Sequence, residues 1–226
     1  MITIILVEPI TPGNIGAVAR VMKNFGFEKL VLVNPKCNHL SQEAIDRASH
    51  AKDVIKNAIV VKKIPKMDYL VATTGKLGTD FNLKRSPLSP KELSDKVKSF
   101  RKVSIGLVFG REDSGLTNEE ILKCDFTVTI NTKKKYPVMN LSHAVAIILY
   151  ELCENNNNNK INNITPIGLK EKEELQKLIF KTLDSMQFSD AHKKETQKML
   201  WKRIIGKSML TKREFMALMG YFRKIN

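Results

Sequence analysis

A chain of 226 residues, 42% hydrophobic and 27% charged, is long enough for one sizeable α/β domain with an appendage, and its composition is that of a globular protein rather than a fibrous or disordered one. Its net charge of +15 favours a polyanionic partner, with nucleic acid ahead of membrane because no apolar run approaches the ~20 residues of a span. Three widely spaced cysteines, without CxxC, HExxH or acidic calcium-loop spacing, argue against a disulfide framework and supply no metal site.

The opening MITIILVEPI lacks a basic n-region and a small-residue cleavage site, so a cytoplasmic protein is expected. Ile2 to Val7 reads as a strand covered on both faces, followed by a loop from Glu8 to Asn14 in which two prolines and a glycine interrupt regular structure. Ile15, Val18, Ala19, Met22 and Phe25 then recur at helical spacing up to Gly26, with Arg20 at the boundary of the stripe. GNIGAVAR lacks the lysine of a P-loop and the full glycine pattern of a dinucleotide turn. Leu30 to Val33 is a second buried strand, and Ser41 caps a helix running to about Asn57, with Ala44, Ile45, Ala48 and Val54 or Ile55 inward. Ile59 to Ile64 is a third strand, at an edge because of Lys62 and Lys63. Tyr69 to Thr73 is a fourth, running into a small, polar, ligand-facing loop from Thr74 to Gly78. Lys84 and Arg85 form either a solvated turn or a phosphate contact, and Ser89-Pro90-Lys91-Glu92 starts a helix to about Ser99.

The centre of the chain is Ile105 to Glu120, IGLVFGREDSGLTNEE. A buried strand to Phe109 ends in a loop bearing Arg111, Glu112, Asp113 and Ser114, and Thr117 with Glu120 has the capping-box spacing of a following helix. Charged loops at the carboxyl ends of strands are where open α/β sheets bind ligands. Phe126 to Ile130 is a further strand. Asn131 to Met139 contains Lys133 to Lys135, and Leu141 to Leu152 forms a helix apolar on more than one face, to be buried against the sheet or another subunit. This alternation predicts a mostly parallel sheet with helices on both faces.

The run Asn155 to Asn159 reads as a linker, which divides the chain into residues 1–154, a linker at 155–167 and a helical part at 168–226. Residues 155–226 hold 15 Lys and Arg against 7 Asp and Glu, a net +8, so they are the more basic part per residue. Helices are predicted at Leu169–Met186, Asp190–Ile205 and Thr211–Ile225, with Leu175, Leu178, Ile179 and Leu183 in one stripe and Met199, Leu200, Ile204 and Ile205 in another. Trp201 is read as part of that bundle's core in preference to a base-stacking platform. No histidine is assigned to catalysis, because neither a Cys-His nor a Ser-His-Asp arrangement follows from the spacing.

Three segments now stand in a particular order: PGNIGAVAR from Pro12 to Arg20, LVFGRE with GLTNEE between Leu107 and Glu120, and YPVMNLSHA from Tyr136 to Ala144. Together they resemble the three motifs of the SpoU-TrmD (SPOUT) RNA methyltransferases, and look like the TrmJ subfamily of tRNA ribose 2′-O-methyltransferases. The resemblance covers residues 1 to about 154, and a basic helical tail is similar to that subfamily too. It implies a trefoil knot at the end of the catalytic half, S-adenosylmethionine bound bent in the knot, and a homodimer whose partner completes the active site. Carried over residue by residue, it places Thr73, Thr74, Gly75, Gly110, Ile130, Pro137, Val138 and Met139 around the cofactor, and Asn14, Arg20, Glu112 and Asn140 at the methyl-transfer site. It places Asn14 and Arg20 near the ribose hydroxyl and its phosphate. We expect Glu112 to shape the site by holding Arg20, and Asn140 to orient the cofactor loop or substrate. Arg20 stays protonated, so it suits a phosphate contact and an incipient alkoxide better than a base. Pro137-Val138 departs from the serines of many relatives, which removes side-chain hydrogen bonds and leaves main-chain ones.

The expected protein is therefore a homodimeric tRNA ribose 2′-O-methyltransferase acting on the nucleotide that opens the anticodon loop. Its basic tail and Lys133 to Lys135 would supply salt-sensitive phosphate contacts. Methylation of ribosomal RNA, or an inactive RNA-binding protein of the same fold, are the alternatives. A nucleotide-binding α/β enzyme is disfavoured by the missing phosphate-loop lysine.

Overall fold

The computed structural model describes residues 1–75, 87–98, 103–133, 135–154 and 166–225. The expectations for Lys76 to Gly78, Lys84, Arg85, Ser99, Lys134 and the Asn155 to Asn159 linker lie outside the described residues. Six strands, β1 (Ile2–Val7), β2 (Leu30–Val33), β3 (Ile59–Val61), β4 (Tyr69–Thr73), β5 (Ile105–Phe109) and β6 (Phe126–Val128), form one sheet. Its order is β3-β2-β1-β5-β4-β6, and every pairing is parallel.

The central strands are apolar at nearly every position because both faces are covered. Ile4, Leu6, Leu32, Val71 and Leu107 pack on one side with Ile15, Val18 and Met22 of α1 (Pro12–Asn24) and Val145, Ile148 and Leu149 of α6 (Leu141–Glu154). Ile5, Val7, Val31, Ala72 and Val108 face the other side, against Leu116 and Ile121. That face is covered by the short α5 (Asn118–Lys123), whereas α1, α2 (Gln42–Ala48), α3 (Lys52–Lys56), α4 (Pro90–Lys98) and α6 gather on the first. Edge strand β3 leaves Ile59 and Val60 exposed.

Helix α1 starts three residues earlier than its apolar stripe suggests. Pro12 occupies the first turn, where its missing N–H costs nothing, and Gly13 and Gly16 lie within the helix. These glycines are for packing: a Cβ at Gly16 would stand 2.2 Å from the Ala44 carbonyl oxygen of α2. The single helix expected from Ser41 to Asn57 is broken at Ser49, which takes φ +53 and opens a 3₁₀ turn between α2 and α3. Strands β3 and β6 stop at Val61 and Val128, short of the predicted Ile64 and Ile130.

The C-terminal helices α7 (Leu169–Ser185), α8 (Ala191–Ser208) and α9 (Lys212–Ile225) close on a core of Leu175, Ile179, Leu183, Ile205, Phe215 and Met219. Ile204, placed in that stripe by spacing, is 45% exposed. The bundle is fastened to the starts of β4 and β6. Lys172 of α7, 2% exposed, pairs with Asp125 at 2.7 Å, donates to the Asp68 carbonyl oxygen and lies 4.2 Å from the Tyr69 ring centroid. The Tyr69 hydroxyl donates to the Ile167 carbonyl at 3.0 Å, and the Leu169 N–H donates to Asp68 Oδ1 at 2.9 Å. The ligand-facing loops lie at the opposite ends of the same strands.

Candidate active site

At the carboxyl ends of β4, β5 and β6, three loops enclose a cavity of about 350 Å³. Thr73, Thr74, Gly75, Gly110, Ile130, Pro137, Val138 and Met139 all line it, so the structure gathers residues spread over more than sixty positions. Phe109, Leu116, Val128, Leu141, Ala144 and Ile148 add apolar wall. The loops are tied by main-chain and hydroxyl contacts: Thr74 N–H to the Val128 carbonyl at 3.0 Å, Thr129 Oγ1 to the Thr74 carbonyl at 2.8 Å, and Thr73 Oγ1 to the Val108 carbonyl at 3.0 Å. Gly110 is required by close approach, because a Cβ there would fall 2.2 Å from the carbonyl carbon of Gly115. Gly115 itself takes φ +71, so the loop reverses within five residues.

Arg111, in the loop read from sequence as ligand-facing, turns inward. Its guanidinium donates to both oxygens of Glu120 at 3.0 Å, to Glu8 Oε2 at 2.8–2.9 Å and to the Gly115 carbonyl at 3.2 Å. Glu120 also closes the Thr117 capping box, so one cation ties the start of α5 to the loop after β1. Sequence reading missed Glu8. It takes φ +45, and Lys36, Arg111 and Asn34 hold its carboxyl down at about 2, from an ordinary 4.5. A surface glutamate before a proline gives no sign in the sequence of partners 26 to 103 residues away.

The next residue, Glu112, faces the start of α1. Its carboxylate accepts from the N–H groups of Ile10 and Thr11 at 3.1 and 3.2 Å, where a helix N-terminus favours negative charge. It also accepts from Asn14 Nδ2 at 3.1 Å. Asn14 Oδ1 in turn accepts from Asn140 Nδ2 at 3.2 Å, and Asn140 Oδ1 accepts from the Ser142 N–H and hydroxyl at 2.9 and 2.8 Å. Three of the four expected transfer-site residues, one from each motif, thus form a single hydrogen-bonded chain beside the cavity. Arg20 does not join it. Its side chain is exposed on α1, has no hydrogen bond or ion pair among the described residues, and does not line the cavity. The expectation that Glu112 holds Arg20 is corrected here: the carboxylate oxygens are taken by Ile10, Thr11 and Asn14.

Further lining groups were not singled out from sequence as cofactor contacts, among them Asp113, Ser114 and Thr132. Asp113 Oδ1 accepts from the Ser114 N–H and hydroxyl, which lowers its pKa. No group of three or more metal-ligating side chains occurs among the described residues.

An all-parallel α/β sheet with a cavity at its strand ends, walled by apolar side chains, glycines, threonines and the charged Arg111, Glu112 and Asp113, has the form of an α/β protein that binds a small ligand there. Residues 1–150 match the model of the SpoU rRNA Methylase family. The chain is 44% identical over 229 residues to the tRNA (cytidine-2′-O-)-methyltransferase TrmJ of Methanocaldococcus jannaschii, covering 99% of both. It is 33% identical over 231 residues to the protein of that name from Sulfolobus acidocaldarius, covering 99% of this chain and 93% of the other. In fold it matches the crystal structure of TrmJ from Z. mobilis with a TM-score of 0.70, at 24% identity, over 100% of this chain and 99% of that one. The chain belongs to the SpoU methylase family, RNA ribose methyltransferases that take their methyl group from S-adenosylmethionine.

Proposed function

We propose that this protein is a tRNA ribose 2′-O-methyltransferase acting as a homodimer on the nucleotide that opens the anticodon loop. In this reading residues 1–154 carry the transfer and the basic helices of residues 168–226 hold RNA. The observation that carries it is the Glu112–Asn14–Asn140 chain beside the cavity, because it joins three segments that are distant in sequence at one point. Likeness to the TrmJ proteins directs the choice of tRNA.

The cavity fits S-adenosylmethionine on its own chemistry: apolar walls for the adenine, lining residues Thr74, Gly110 and Pro137 to Met139 that can offer main-chain groups, and glycines where the loops approach too closely for a Cβ. When bound, that cofactor supplies a methyl group on a sulfonium. The chain's own work is then to position the ribose hydroxyl, since charge is neutralised along an in-line displacement. Glu112 fixes which end of the Asn14 amide points to Asn140. Arg20, exposed and unpaired among the described residues, is free to take the phosphate next to the target ribose and to stabilise its incipient alkoxide. The half-exposed Tyr150 of α6, edge-on to Phe25 at 6.3 Å, supplies apolar surface for a partner subunit. The trefoil knot implied by the resemblance belongs to the same reading.

The test is incubation of the purified chain with labelled S-adenosylmethionine and unmodified tRNA transcripts, then nucleoside mass spectrometry of the digested RNA. A 2′-O-methylnucleoside mapped to the anticodon loop is expected. Label absent from tRNA but present in ribosomal RNA would replace the substrate, a second reading kept open by the description of the matching family. Cofactor binding without transfer to either RNA would mark an inactive RNA binder.

A further inference from the structure

A second cleft, of about 360 Å³, opens between α7, α8 and α9 and shares no lining residue with the first. Its walls are Phe188, Trp201, Tyr221 and Phe222, with Met186 at the rim. Trp201 stands edge-to-face on Phe222 at 5.4 Å and Phe222 on Tyr221 at 5.3 Å, so the rings form a continuous aromatic corner. The bundle core beneath is closed, yet Tyr221 stays 61% exposed and Met186 48%. Two polar side chains line this largely apolar space beside the tyrosine: Thr182, whose hydroxyl donates to the Leu178 carbonyl at 3.2 Å, and Gln197, whose amide makes no hydrogen bond among the described residues. Two lysines stand nearby. Lys194 lies 6.0 Å from the ring centroid of the cleft residue Phe188, and Lys198 follows Gln197 in α8; both meet Asp184, and Lys198 also pairs with Glu195 at 3.3 Å.

Aromatic faces bind any flat ring, an amide can pair with a base edge, and lysines beside the slot meet phosphates. That combination suits an unstacked nucleotide. A second copy of the chain fits worse, since it would bring the same positive segment, +8 over residues 155–226, against itself. We infer that the α7–α9 cleft receives a nucleobase of the bound RNA, stacked on the Trp201–Tyr221 corner and read in part by Gln197. This deepens the proposed tRNA activity and rests on it. Trp201 then serves both roles weighed from sequence, one edge in the bundle core and one face toward the ligand.

Trp201 is the chain's single tryptophan, which makes it a built-in probe. The full-length protein is titrated with unmodified tRNA transcript while tryptophan emission and tRNA binding are followed together, and the series is repeated with Tyr221→Ala and Gln197→Ala. Emission is expected to change saturably over the concentration range of binding. Each variant should bind tRNA more weakly, by about five- to hundredfold for the lost stacking surface at Tyr221 and by less for Gln197. Melting temperature and S-adenosylmethionine affinity should match the parent. Gln197→Ala keeps the test decisive if Tyr221→Ala does not fold. Binding and methylation of tRNA with unchanged emission, or with full affinity in both variants, would overturn the cleft and leave the activity standing. A parent that neither binds nor methylates tRNA would sink both. Emission that changes with protein concentration in the absence of RNA would give the cleft to a second copy and also overturn the inference.

Discussion

Glu112 meets three donor groups with two oxygens, Oε2 taking the Ile10 N–H and Oε1 the Thr11 N–H and the Asn14 amide, and the isosteric Glu112→Gln keeps only one acceptor oxygen while turning an NH₂ toward the donors of the other. Hydrogen bonds to a charged group are worth about 1.5–3 kcal/mol, so the transfer rate should drop roughly ten- to hundredfold. Single-turnover kinetics would show this; because Glu112 also lines the cavity, S-adenosylmethionine affinity is measured beside it and should fall by less than the transfer rate. Arg20→Ala should abolish transfer while sparing cofactor affinity; surviving activity would remove Arg20 from the site. Glu8 gives a pH dependence. Its folded pKa of about 2 lies below the ordinary 4.5, so its stabilisation is complete above 4.5 and is lost as pH falls toward 2. Urea midpoints measured through that window should fall for the parent and fall less steeply for Glu8→Gln. At this scale the sequence was most legible where a residue's backbone neighbourhood is its function. Gly75, Gly110 and Pro137 to Met139, which the resemblance assigns to the cofactor, line one cavity and offer it main chain and shape. Glu8 and Arg111 act through long-range ion pairs that no local pattern encodes.

Elements were legible wherever burial is regular. Strands β1, β4 and β5 begin and end where their apolar runs do, and the capping boxes at Thr117 and Thr211 start helices as their spacing predicts. The early start of α1 has a physical reason, since a proline or glycine breaks a helix in isolation but not where a first turn or a neighbouring helix accommodates it. Pro12 is at home in a first turn, and Gly16 is where α1 and α2 touch. Gly16→Ala improves intrinsic helix propensity, yet its methyl would stand 2.2 Å from a main-chain oxygen. The overpacking should dominate and destabilise the protein by about 1–3 kcal/mol, read as a lowered urea midpoint with the slope unchanged. Since α1 also carries Asn14, transfer should suffer more than cofactor binding.

At the scale of the whole molecule, the cavity and the helical bundle sit at opposite ends of β4, which at ~3.3 Å per residue is about 13 Å long. No composition or periodicity announces that Lys172, in a stretch of alternating charges, is the buried bolt between them. Lys172→Met should cost about 3–5 kcal/mol by leaving Asp125 buried without its cation. Its clearest sign would be faster proteolysis between residues 154 and 169, with the cavity still able to bind S-adenosylmethionine. The same bolt imposes an order on how the chain comes together. Its ammonium is enclosed by groups from Asp68, Tyr69 and Asp125, which reach their places only after β4 and β6 have joined the sheet. A chain made from its amino end delivers α7 after all six strands, and α7 cannot seat on an unfinished sheet without stranding a charge. A seated α7 therefore reports a finished sheet, because the pocket that encloses its ammonium exists only on molecules whose β4 and β6 have already paired.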